Sequence, residues 1–266
     1  MPMIELTSNQ LQDWLVIFLW PFFRISSLML SAPLWGHGAI PTQVKVALAA
    51  AISMMIAPLI PPMPAIPISS WSGFGLIVEQ IIIGVTIGMT VRVMLGMVQA
   101  SGEFIGLQMG LAFATFFDPS IGTNMTVVSR YLYMFMLLIF LSLNGHLIVL
   151  ETLVNSFITL PIGIQHFNPE AFILVVRYSA SIFATGLLLA LPLVASLLVI
   201  NLALGILNRA APQLTVFNIG FPTTLTVGLV LLIALMKELG PFLERHVHQG
   251  LSYLHLILDS MAPLTQ

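Results

Sequence analysis

FILVVRYSASIFATGLLLALPLVASLLVINLALGIL, residues 172–207, is apolar along its whole length apart from Arg177, Asn201 and a few hydroxyls. As one straight helix it would run roughly 54 Å at 1.5 Å per residue, against a hydrocarbon core of about 30 Å. A single vertical span does not account for it. Pro192, near the middle, lacks an amide hydrogen and crowds the preceding turn, so the expected form is a kinked helix or the two halves of a hairpin.

Other apolar runs lie at about 14–34, 44–60, 74–98, 127–150 and 216–236, each near or above the roughly 20 residues of a spanning helix. With 172–207 they predict an all-α membrane protein of kinked helical hairpins, with about six long hydrophobic helices. Turns are marked by Pro33, Gly36, Gly38 and Pro41, by the cluster Pro58, Pro61, Pro62, Pro64 and Pro67, and by Pro161 with Gly163. No linker or shift of composition divides residues 1–266, which read as one domain. The stretch 246–258 is partly amphipathic and too short to span, so it reads as a helix lying along a surface.

Composition fixes the class. Hydrophobic residues make up 58% of the chain and charged ones 7%, where a soluble domain carries about 25%. Eight Lys plus Arg and ten Asp plus Glu cannot cover the exterior of a water-soluble protein this long, so lipid or other apolar subunits must be the solvent. The net charge of −2 is spread over isolated residues and leaves no basic stripe for nucleic acid. Cysteine is absent, which removes disulfides, thiolate metal sites and cysteine nucleophiles. MPMIELTSNQLQDWL at the N-terminus has no Lys or Arg before the first apolar run, unlike the positive start of a signal peptide, so that run is expected to be retained.

Charges inside apolar runs need an explanation, because an ionic group facing lipid costs several kcal/mol. Arg24, Glu79, Arg92, Glu103 and Arg130 are the principal cases. They fit either interhelical and intersubunit contacts or arginines snorkelling to an interface. His146 and Glu151, after Asn144 and Gly145, fit a proton relay or, more simply, a helix end near the interface. His246 and His248 are two apart, which does not place both on one helical face for a metal. Nucleophile-elbow, phosphate-loop and H-E-x-x-H patterns are missing, so neither catalysis nor a cofactor is expected. GLQMGLAFATFFDP, residues 106–119, combines glycines with Met and Phe and stops at a proline. It fits a deformable plug across a pore or a close-packed helix contact.

LALGILNRAAPQLTVFNIGFP, residues 202–222, resembles the motif of the FliR family of flagellar biosynthetic proteins, the R/T family of type III secretion export gates. GEFIGLQMG at 102–110 and Arg24-Ile25-Ser26, followed by Ala32-Pro33 and Ile40-Pro41, agree with that family, so the resemblance covers essentially the whole chain. Thr215 stands where many members carry Asn, and residues 35–39 are also not the commonest form.

The resemblance implies a channel-forming subunit of the flagellar export gate, with helical hairpins wound into an assembly partly above the inner membrane. Its implied partners are FliP-like and FliQ-like gate subunits, an FlhB-like switch protein, unfolded flagellar export substrates and membrane lipid. It implies a pore plug at Gly106, Met109, Gly110, Phe113, Phe116 and Phe117. Asn208, Arg209, Pro212, Gln213, Phe217, Gly220 and Pro222 would form a packing motif between subunits or at a helix turn. The competing reading is a six-span secondary transporter coupled through Glu79, Glu103, His146 or Glu151.

Overall fold

A computed structural model describes residues 8–61, 63–64, 66–68, 70–111, 125–163, 168–210 and 219–262. The described elements are helical: α1 (Ser8–Ser31), α2 (Thr42–Ile56) with a 3-10 turn (Ala57–Leu59), α3 (Trp71–Gln108), α4 (Val127–Ser142), α5 (Gly145–Thr159), α6 (Pro169–Ala210) and α7 (Phe221–Met261). Among the described residues four helices are long and apolar enough to cross a membrane: Thr42–Leu59, Trp71–Gln108, Pro169–Ala210 and Phe221–Met261. The number rises to five if α4 and α5 together form one span.

The expected helices are corrected in two places. The run 127–150 breaks, with a 64° bend, between α4 and α5. Asn144 takes a left-handed φ of 56°, which Asn tolerates better than most residues, and Gly145 restarts the helix. The first run falls in the 24-residue α1, whose part Leu15–Ser31 is apolar. The stretch 246–258 is not a separate surface helix but the end of the 41-residue α7.

Helix α6 stays helical through Pro192 rather than splitting there. A proline costs one backbone bond, and the bonds on either side hold the helix where no water competes for them. Its start follows local rules: the Asn168 side chain accepts from the Glu170 amide at 3.0 Å, Pro169 takes the first helical position, and Glu170 lies in the positive first turn.

The chain divides into two compact units. The first comprises Met1–Arg92, Gly145–Arg177 and Gly250–Gln266. Its core includes Trp20, Ile25 and Leu28 of α1, Leu76, Ile83 and Ile87 of α3, Leu153 and Phe157 of α5, and Leu254, Ile257 and Met261 of α7. The second comprises Val93–Asn144 and Tyr178–Gln249. There Met94, Leu95 and Ile105 of α3, Leu132, Met136 and Phe140 of α4, Leu193 and Leu197 of α6, and Leu239 and Leu243 of α7 are buried.

Candidate functional site

Arg24 in the first unit is fully buried. Its Nε donates to Gln80 Oε1 at 2.8 Å, Nη1 to the Ser156 carbonyl at 2.8 Å and to Ser156 Oγ at 3.0 Å, and Nη2 to the Leu160 carbonyl at 2.9 Å. The guanidinium also lies 4.2 Å from the centre of the Phe157 ring. Three of these bonds go to the C-terminal end of α5, where the last carbonyls have capacity for a further donor and the negative end of the helix dipole favours a cation. Arg24 is therefore a helix cap supplied from another helix, not a snorkelling side chain. Glu79, also buried, is its electrostatic counterweight. The structure brings Arg24 and Glu79 into one cluster, whereas Arg92 and Arg130 are each exposed.

In the second unit the end of α3 is clasped to the start of α4. Glu103 accepts from the Thr126 amide, at 3.0 Å to Oε1 and 3.3 Å to Oε2. Thr126 is the N-cap of α4: its hydroxyl accepts from the Ser129 amide at 3.2 Å and donates to the Gly102 carbonyl at 3.3 Å. Ser129 Oγ donates to the Gln99 carbonyl at 2.9 Å. Close approach requires glycine on α3. A Cβ at Gly102 would fall 2.3 Å from Ser129 Cα, and one at Gly106 would fall 2.5 Å from Thr126 Oγ1.

The same end of α3 stops at a glycine. Gly110 has φ 82°, its amide donates to the Leu107 carbonyl at 3.1 Å, and the Leu111 amide donates to the Gly106 carbonyl at 3.0 Å. This is the Schellman pattern of helix termination. Met109 is fully buried, and a Cβ at Gly228 of α7 would come within 2.6 Å of its Cγ. Thr224 Oγ1 lies 3.5 Å from the Met109 carbonyl. Residues on both sides of 112–124 are thus anchored, one side through Glu103 and Met109 and the other through Thr126 and Ser129.

Phe113, Phe116 and Phe117 lie outside the described residues, as do Pro212, Gln213 and Phe217. Of the second motif, Asn208 is half-buried and Arg209 exposed at the end of α6, Gly220 is buried just before α7, and Pro222 is exposed in its first turn. His146 is half-buried and Glu151 exposed. His246 is buried with Nε2 3.2 Å from the Met94 carbonyl, while His248 is exposed. Among the described residues no group of three or more His, Cys, Asp or Glu could hold a metal.

Sequence reasoning missed Gln80, Ser156, Thr126, Ser129, Thr224 and Gly228. Thr126 carried a usable signal, since Thr before an apolar run is an N-cap candidate. Gln80, Ser156, Ser129 and Thr224 act through side-chain oxygens on partners far away in the sequence, and Gly228 through lack of a side chain, so none of them carried a local signal.

Residues 15–250 match the family described as bacterial export proteins, family 1. The chain is 44% identical to the flagellar biosynthetic protein FliR of Escherichia coli (strain K12) over 262 residues, 98% of this chain and 99% of that protein. It is 44% identical to the FliR of Pectobacterium carotovorum subsp. carotovorum over 260 residues, covering 98% and 99%. With the FliR of Bacillus subtilis (strain 168) the identity is 31% over 232 residues, covering 86% and 89%.

Proposed function

We infer the function from one premise: this chain belongs to the bacterial export proteins, family 1, and groups with its FliR members. It acts as one structural and channel-forming domain of the flagellar type III export gate, in the inner membrane at the flagellar basal body. There it helps conduct unfolded flagellar proteins and helps seal the resting pore. Its partners are FliP-like and FliQ-like subunits and an FlhB-like switch protein.

One observation of the molecule carries this reading best. From residue 198 to 210 of α6 no side chain is buried, although Leu198, Val199, Leu202 and Ile206 are all large and apolar. A helix apolar on every side is stable only inside lipid or other protein, and Asn208 and Arg209 at its end favour protein. The packing role of residues 208–222 follows from that exposed end. The plug role rests on Phe113, Phe116 and Phe117, which lie in the sequence between the clasped residues Gly106, Met109 and Gly110 on one side and Thr126 on the other.

The first test is coexpression with the FliP-like and FliQ-like subunits, detergent extraction and native mass measurement. A discrete mixed assembly is expected. A stable lone chain that carries solute flux would replace the gate with a secondary transporter. Replacing Phe116 and Phe117 by Gly in the assembly should raise resting ion conductance, and an unchanged conductance would remove the seal while leaving the gate assignment standing.

A further inference from the structure

Residues 46–78 contain no Asp, Glu, Lys, Arg or His. They include the turn between two candidate spans, Thr42–Leu59 and Trp71–Gln108, so this uncharged turn lies where those spans meet a membrane face. The turn is braced. Ser70 Oγ donates to the Pro67 carbonyl at 2.6 Å and accepts from the Gly73 amide at 3.0 Å, and the Phe74 amide donates to the Ser70 carbonyl at 3.0 Å. A Cβ at Gly73 would fall 2.4 Å from the Pro67 carbonyl oxygen, so only glycine lets the helix start lie against the loop.

On this brace Ile68, Ser70, Trp71 and Phe74 line an open cavity of about 410 Å³. Trp71 is 91% exposed and Phe74 58%. On the preceding candidate span Met54, Met55 and Leu59 are also exposed.

We propose that this cavity seats the upper acyl chain of a membrane phospholipid, with the Trp71 indole as the interfacial anchor. Three observations favour lipid. The cavity lies at the turn that links two candidate spans, and Trp71 and Phe74 belong to the first turn of one of them, so a bilayer that covers that span reaches it. Tryptophan, with an apolar ring and one N–H donor, is the side chain enriched where chains meet headgroups. The described lining, four side chains, is also far smaller than the roughly 800 Å² per partner that a stable protein interface needs, whereas the cavity volume suits one small ligand. The proposal rests on the membrane reading of these two helices.

The chain has four tryptophans, and replacing Trp14, Trp20 and Trp35 by Phe leaves Trp71 as the sole fluorophore. The full chain would be reconstituted in phosphatidylethanolamine/phosphatidylglycerol vesicles whose acyl chains are brominated either near the headgroup or near the methyl end. Trp71 emission should be lost chiefly to the upper bromines and resist aqueous iodide. Loss to iodide with no response to either bromolipid overturns the proposal. So does shielding of Trp71 from both quenchers that appears only on coexpression with the FliP-like and FliQ-like subunits, since protein would then cover it. A second variant separates the two claims: with all four native tryptophans replaced by Phe, Leu198→Trp reports on the apolar end of α6. Quenching there beside a silent Trp71 removes the lipid seat alone, and silence at both positions removes the membrane reading as well.

Discussion

Helices α3 and α6 are nearly equal in length, 38 and 42 residues, and both are strongly apolar, with mean hydropathies of 2.1 and 2.6 in their most apolar windows. Yet 67% of that window is buried in α3 and 22% in α6. Small residues make the difference. A Cβ at Gly84 would lie 2.2 Å from the Arg24 carbonyl oxygen, and one at Gly88 would lie 2.8 Å from the Ala32 nitrogen. In α6, a Cβ at Gly186 would lie 3.0 Å from Ala100 Cβ, but Gly205 faces open space. Hydropathy measures exclusion from water and is blind to whether the apolar neighbour is lipid or protein. Close backbone approach at small residues is what marks the protein-facing helix.

This contrast breaks if arginine is equivalent at the two places, so the largest effect is expected at Arg24. Arg24→Met should cost about 3–5 kcal/mol, because it removes the donors to Gln80 Oε1 and to the Ser156 and Leu160 carbonyls and takes a positive charge away from buried Glu79. Arg209→Met, exposed at the end of α6, should stay within about 0.5 kcal/mol. Chemical unfolding in detergent decides, and equal losses would mean that the Arg24 cluster contributes no specific stability.

Gly84→Val on the packed helix should cost about 1–3 kcal/mol or more by overpacking, with Gly205→Val on the open one near neutral. Comparable midpoints for the two variants in the same unfolding assay would refute the small-residue rule. At the clasp, Glu103→Ala should lose about 1 kcal/mol and speed amide exchange at the start of α4. Exchange there that matches the unaltered chain would show that the Glu103 carboxylate is dispensable as a cap.

The smallest effect on folding, and the sharpest on assembly, is expected at the exposed end of α6. Leu202→Ser should shift the unfolding midpoint of the isolated chain by no more than about 0.5 kcal/mol. It should nevertheless reduce the yield of mixed complex with the FliP-like and FliQ-like subunits. Undiminished copurification would assign that face to lipid instead.

The helices were largely legible because each apolar run states where water is excluded. Their ends were not. The break at Asn144 depends on one left-handed residue inside a continuous apolar run, and the merging of 246–258 into α7 depends on buried Leu239, Leu243 and Val247 extending one stripe across its charged turns. Of the candidate site, Glu103 and Gly110 were visible as residues that demanded an explanation, but read alone they suggested an intramembrane charge and a flexible joint. In the fold they are a helix cap and a helix stop, because the groups that define those roles are the Thr126 amide and the carbonyls of Gly106 and Leu107.

The sequence by itself determined that this is a helical membrane protein, where most of its apolar segments run, and which family motifs it carries, because hydropathy and residue identity are local properties. The tertiary structure decided which apolar face meets protein and what neutralises Arg24. Its partners on α3 and at the end of α5 lie 56, 132 and 136 positions away. Two of them are backbone carbonyls, which every residue possesses, so no pattern of side chains could have announced them.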